Sequence, residues 1–120
     1  MAKKVLIVDD EMHVIKIMQF KLKKEGFDVI SAQNGNDAIE IAKKELPDII
    51  LLDIMMPDIN GYMVLEALKA EDSTKDIPVI MVTAKTQESN KIKAEKLGIA
   101  DYIFKPFSLQ HVVESIQRII

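Results

Sequence analysis

Cysteine is absent from this chain, which excludes disulfides and thiolate metal sites and makes a reducing compartment natural for it. Proline and glycine are scarce, four of each, which excludes collagen-like or low-complexity character, and no repeat is visible. No apolar run approaches a membrane span. The start M-A-K-K-V-L-I-V-D-D offers only four apolar residues after its basic pair, too few for the core of a signal peptide. A net charge of -3 gives no general attraction to nucleic acid. The two histidines, His13 and His111, stand alone at no ligand spacing and read as surface residues. With 48% hydrophobic and 29% charged residues, the chain has the make-up of an ordinary globular protein. Its 120 residues suit one domain, residues 1–120, with a single core, and the expected location is the cytoplasm.

The most informative stretch runs from Ile49 to Gly61, I-I-L-L-D-I-M-M-P-D-I-N-G. Four branched or apolar residues after Pro47-Asp48 read as a strand buried on both faces and ending at Asp53. An acidic side chain at the rim of a core is costly unless a cation or hydrogen-bond donors receive it. Pro57 and Gly61 then turn the backbone, so Asp53 is expected to stand exposed at the mouth of a loop.

Similar short apolar runs recur along the chain. Val5 to Val8 is a first strand ended by Asp9-Asp10-Glu11, Asp28 to Ala32 a second, Pro78 to Val82 a fourth ending at Thr83, and Asp101 to Lys105 a fifth. Between them the period changes to that of a helix. Met12 onward turns Val14, Ile15, Met18 and Leu22 inward until Gly26, and Asn36 to Lys44 does the same with Ala38, Ile41 and Ala42 after an Asn34-Gly35 turn. Gly61 to Ala70 presents Val64, Leu65 and Leu68, and Glu71 to Asp76 reads as a surface loop. Gln87 to Leu97 has a thin inward face, mainly Ile92 and Leu97. Ser108 can cap a last helix with Leu109, Val112, Val113, Ile116 and Ile120 inward.

Five strands alternating with five helices specify an α/β fold, a parallel sheet with helices on both faces. Ligands of such sheets sit beyond the carboxyl ends of the strands. Asp9, Asp10, Asp53, Thr83 and Lys105 all fall on that rim. Each alone has a bland reading, as a helix cap, a strand residue or a solvated charge. Together they are more telling, because three carboxylates in one place repel one another and demand a divalent cation. Oxygen ligands without His or Cys point to Mg2+. A lysine ammonium and a threonine hydroxyl beside it suit a phosphoryl group, and the carboxylate free to attack is Asp53, giving an aspartyl phosphate.

At this point V-L-I-V-D-D-E (Val5 to Glu11), L-L-D-I-M-M-P-D-I-N-G (Leu51 to Gly61), V-T-A (Val82 to Ala84) and D-Y-I-F-K-P-F (Asp101 to Phe107) make the chain resemble the receiver domains of two-component response regulators. The resemblance implies a flavodoxin-like doubly wound sheet of strand order 2-1-3-4-5. It implies that Asp53 accepts a phosphoryl group from the phosphohistidine of a sensor histidine kinase. Asp9 and Asp10 would carry Mg2+ together with Asp53 and the backbone carbonyl of Met55. Lys105 would contact the phosphoryl oxygens, with a cis bond to Pro106. Thr83 would be the hydroxyl that moves to the phosphoryl group and Tyr102 the aromatic that follows it. The face formed by the fourth helix, fifth strand and fifth helix would bind a downstream protein or phosphotransfer partner.

Some positions depart from the pattern. Ala100 precedes Asp101 where such receivers carry two acids. In receivers joined to DNA-binding domains, basic and acidic residues of this face pair across a dimer. Here Lys91 and Asp101 are present, but His111 and Ser115 stand where Glu and Arg are expected. That favours a monomeric, stand-alone receiver with no direct contact to nucleic acid or membrane. The alternative is the receiver portion of a longer DNA-binding regulator. A phosphatase of the haloacid dehalogenase type would need a second Asp where Met55 stands, and a flavin or nucleotide binder would need a phosphate-cradling loop where Asp9-Asp10-Glu11 stands. Met55 and Lys85, two residues after Asp53 and Thr83, are unsuited to holding an attacking water, so slow loss of the phosphoryl group is expected.

Overall fold

The branched apolar runs become strands: β1 (Lys4–Val8), β2 (Asp28–Ala32), β3 (Ile49–Asp53), β4 (Val79–Thr83) and β5 (Asp101–Phe104). The computed structural model describes residues 2–83, 92 and 95–120. All five strands are parallel and ordered β2-β1-β3-β4-β5, the order implied by the resemblance. Helices α1 (Met12–Lys24), α2 (Gly35–Glu45) and α3 (Gly61–Ala70) and a C-terminal helix (Leu109–Ile119) cover the two faces. Helical residues also lie at Ile92 and at 95–97. Leu97 packs toward the core as expected, whereas Ile92 is exposed, and the rest of the expected helix Gln87 to Leu97 lies outside the described residues.

Period-two alternation sends neighbouring residues of each strand to opposite faces. Leu6, Val8, Ile50, Leu52 and Met81 pack with Ala38 and Ala42 of α2 and with Tyr62, Val64, Leu65 and Leu68 of α3. Val5, Ile7, Ile49, Leu51, Ile80, Val82 and Ile103 pack with Ile15, Met18 and Leu22 of α1 and with Val112, Val113 and Ile116. Each fully buried Leu or Ile contributes about 1.5–3 kcal/mol. The central strand β3 is buried along its whole length, so its last residue, Asp53, is carried into the core with it.

Two turns differ from their sequence reading. Asn34 is a helix cap, its side chain accepting the Asp37 N–H at 2.9 Å, and Gly35 is the first residue of α2. A Cβ on Gly35 would clash with the Ile59 side chain and lie 2.8 Å from that of Val64, so the loop after β3 lies directly on this helix end. In the run Glu71 to Asp76, Thr74 is buried, and its hydroxyl donates to the Leu68 carbonyl at 2.7 Å, adding to the long Glu71 N–H bond that carbonyl accepts in the last turn of α3.

The loop after β3 also caps α2 electrostatically. Asp58 accepts the Asn36 N–H at 2.8 Å and the Gly35 N–H at 2.9 Å, and these donors hold its carboxyl down at about 2 against an ordinary 3.8. A depressed carboxylate stabilises the fold in full above its unfolded value, and that contribution is lost as pH falls from 3.8 toward about 2. Urea unfolding at stepped pH is expected to show Asp58→Asn weaker than wild type at neutral pH, with the gap closing through that window. A gap unchanged down to the acid limit would mean that the ionised carboxylate contributes nothing.

Candidate functional site

Parallel register brings the strand ends together, with Val8 beside Leu52, Asp53 beside Val82 and Thr83 beside Phe104. The residues that follow β1 and β5, Asp9 and Lys105, therefore meet the last residue of β3. Asp9, Asp10 and Asp53 each offer a carboxylate oxygen within 4.8 Å of the others. Lys105 Nζ donates to Asp53 Oδ2 at 3.2 Å and to Asp9 Oδ2 at 3.4 Å. The other oxygens are used locally: Asp53 Oδ1 accepts the Met55 N–H at 3.1 Å, and Asp9 Oδ1 accepts the Glu11 N–H at 2.9 Å. The Lys105–Pro106 peptide bond is cis.

Asp53 is not exposed at a loop mouth. It is 5% exposed and Asp9 3%, while Asp10 faces solvent. The sequence reading placed the turn correctly but could not see Lys105, 52 residues away, closing over the carboxylate. Burial pushes the Asp53 carboxyl up, and the Asp9 charge adds to this, more than Lys105 and the Met55 N–H pull it down. For Lys105 burial opposes the charge, but Asp53 and then Asp9 outweigh it and raise the ammonium above its ordinary range. Three carboxylates against one ammonium leave two negative charges in a largely dehydrated corner. A divalent cation neutralises two charges, and carboxylate oxygens are the donors that Mg2+ prefers, so the residues present fit that ion.

The loop after Asp53 is closed by the Gly61 N–H, which donates to the Ile54 carbonyl at 2.8 Å, and by Asn60, whose side chain caps α3 at the Met63 N–H. Within this loop the Met55 side chain is 70% exposed. Thr83 ends β4 as expected, but its side chain, with Lys85 and Lys91, lies outside the described residues.

Tyr102 lies on β5, half-buried, on the α2 and α3 side of the sheet. Its hydroxyl is 3.2 Å from that of Tyr62, a residue the sequence reading passed over, although its spacing of three before Leu65 marks the inward face of α3. Burial first, then Tyr102, raises the Tyr62 phenol above its ordinary range. At the start of β5, Asp101 Oδ2 accepts both the Ser115 hydroxyl and Arg118 Nη2, the latter at 2.8 Å. Against burial, Ser115, the Tyr102 N–H and Arg118 hold the Asp101 carboxyl below the usual range. Asp101, which the sequence reading weighed as a contact across a dimer, is thus engaged by its own chain.

The family model of the response regulator receiver domain matches residues 5–117. Among solved structures, the chemotaxis protein CheY4 of Vibrio cholerae aligns over the whole of both chains with a TM-score of 0.94 at 28% identity. A CheY-like response regulator receiver domain protein from Methanospirillum hungatei aligns with a TM-score of 0.91 at 28% identity, over 98% of this chain and 93% of its own. Among the described residues no helix is long and apolar enough to cross a membrane.

Proposed function

Since the chain belongs to the response regulator receiver domains, we propose that it is a phosphorylation-controlled switch of a two-component system, in which Asp53 takes a phosphoryl group from the phosphohistidine of a sensor histidine kinase. The observation that carries this reading is the Lys105 ammonium lying between the buried carboxylates of Asp53 and Asp9, with Asp10 beside them. Asp9, Asp10 and Asp53, with the Met55 carbonyl, would hold Mg2+, which when bound supplies positive charge opposite the phosphoryl oxygens. An Asp53 oxygen forms the new P–O bond as the P–N bond breaks, and the leaving imidazole keeps the P–N electron pair and takes up a proton. Lys105 is already within reach of where the charge develops and needs little reorganisation to receive it. The product carries nearly two negative charges, which Lys105 and the Thr83 hydroxyl would share. Tyr102 and the face formed by the segment before β5, by β5 and by the C-terminal helix would pass the change to a downstream protein or phosphotransfer partner.

On this reading the chain catalyses its own phosphorylation and dephosphorylation and is not a turnover enzyme. The engagement of Asp101 by Ser115 and Arg118 supports a monomeric receiver over one half of a DNA-binding dimer. The test is intact mass after incubation with acetyl phosphate, with and without Mg2+, on wild type and Asp53→Asn. A Mg2+-dependent gain of one phosphoryl group that vanishes in the variant is expected. No gain, or a gain that survives the substitution, overturns the reading.

Met55 bears on the lifetime of that product. Its exposed thioether is a weak acceptor, unsuited to holding a water in line with the phosphorus. Met55→Asn supplies an amide and is expected to speed loss of the phosphoryl group by about one order of magnitude, below the 10²–10⁴-fold of a full general base. The decay of phosphorylated mass after donor removal measures this, and an unchanged rate would exclude the side chain from the process.

A further inference from the structure

The chain has two tyrosines and no tryptophan, and the fold brings the two hydroxyls to 3.2 Å although 40 residues separate them. Tyr62 is the second residue of α3, buried in the cluster on one side of the sheet. Tyr102 rides on β5, packed against the same cluster, with its ring tilted at 5.1 Å on Phe104. The two side chains differ in freedom. Tyr62 is 6% exposed and held among Val64, Leu65 and their neighbours, whereas Tyr102 is half-buried, with part of its surface open to solvent. A phenylalanine at either position would fill much the same space. Only a phenol pair gives the contact a direction, because the hydrogen bond exists in one arrangement of Tyr102 and is lost when its ring swings out.

The start of α3 is also tied to the acceptor. The Gly61 N–H bonds the Ile54 carbonyl, one residue after Asp53, so Tyr62 is anchored to the loop beside the carboxylate and reaches from there to β5.

We propose that the Tyr62 hydroxyl is a latch on Tyr102, holding that side chain inward before any phosphoryl group arrives and so setting the resting position of the switch. This rests on the reading of Tyr102 as the residue that reports phosphorylation. Tyr62 is then a positioning residue that acts through Tyr102. A net hydrogen bond of ordinary strength changes a two-state ratio about three- to tenfold. The latch therefore favours the inward state without fixing it, and leaves room for a phosphoryl group at Asp53 to add to it.

Because these are the only tyrosines, fluorine NMR of the chain grown with 3-fluorotyrosine shows this pair alone. Tyr62→Phe leaves only the Tyr102 resonance, and Tyr102→Phe assigns the other. Without phosphodonor, the Tyr102 resonance of Tyr62→Phe is expected to move toward that of free 3-fluorotyrosine, with the inward-to-outward ratio about three- to tenfold lower than in wild type. Acetyl phosphate with Mg2+ is then expected to shift it further in the variant than in wild type. A variant resonance that coincides with that of wild type before phosphorylation overturns the latch. Phe preserves the packing of α3, and far-UV circular dichroism of each sample shows that the fold is kept. Intact mass on the same samples separates the two failures. A chain that gains no phosphoryl group overturns the receiver reading, and the comparison without donor still decides the latch.

Discussion

Without a divalent cation, Asp53→Asn is expected to withstand more urea than the wild-type chain, by on the order of 1–3 kcal/mol. The folded state raises the Asp53 carboxyl above its ordinary value, burial being the largest cause. A raised carboxylate binds its proton more tightly folded than unfolded, so the ionised form costs stability in full above the raised value, and the cost fades as pH falls from there toward the ordinary one. Asparagine fills the same space, keeps an oxygen for the Met55 N–H and carries no charge. Lys105 is not stranded by the change, since Asp9 remains 3.4 Å away. Saturating Mg2+ is expected to narrow or reverse the order. Binding at a concentration 100-fold above Kd stabilises wild type by about 2.7 kcal/mol, and the variant lacks one of the ligands. Urea curves in chelator and in Mg2+ measure both arms. A variant less stable than wild type in chelator would mean that the Lys105 pair more than offsets the repulsion, and that the cluster has no need of a cation.

A second large effect is expected at Gly61. A Cβ there would lie 2.6 Å from the Asp53 carbonyl oxygen and 2.7 Å from the Ile54 Cα. Both are backbone atoms, so no side-chain rotation relieves the clash, and the loop must move. Gly61→Ala is expected to cost about 2–3 kcal/mol. The displaced atoms belong to Asp53 and its neighbour, so on the proposed function phosphorylation by acetyl phosphate in the folded fraction should slow as well. Gly26→Ala is the control: φ is +94° but nothing lies within 4 Å of a Cβ, and the cost should stay near ~1 kcal/mol. Equal losses at the two glycines would mean that the loop yields easily and relieves the close approach at Gly61 at little cost.

How much of this was legible beforehand depends on the reach of each interaction. Ile49 to Leu52 announced a buried strand because four apolar residues between a Pro-Asp pair and an acid allow little else, and β3 has those bounds. Ser108 was legible as a cap because its bond to the His111 N–H spans three residues. The strand order came from the resemblance, since alternation alone permits other windings. The burial of Asp53, the capping of α2 by Asp58 and the pairing of Tyr62 with Tyr102 were hidden, because each joins residues more than twenty positions apart. Thr74 was misjudged for a subtler reason: in a run of polar residues, nothing marks the one that turns inward to a carbonyl at the helix end. Asp101 was read as an acid whose expected dimer partners are replaced, and its partners within the chain, Ser115 and Arg118, appear only once the C-terminal helix lies against β5.

The strand order has a consequence for how such a molecule can be adapted. Asp9 and Asp53 follow or end β1 and β3, each of which has a neighbour on both sides, whereas Lys105 and Tyr102 belong to β5 and its exit, paired with β4 alone. Repositioning a carboxylate would break two ladders; reshaping the outer margin breaks one. On the proposed function, the phosphoacceptor is thereby mounted on doubly paired strands, while Lys105 and the switch residue Tyr102 hang from the singly paired margin. A lineage, or an engineer, can recut the outward face for a new listener while the acceptor stays as it is.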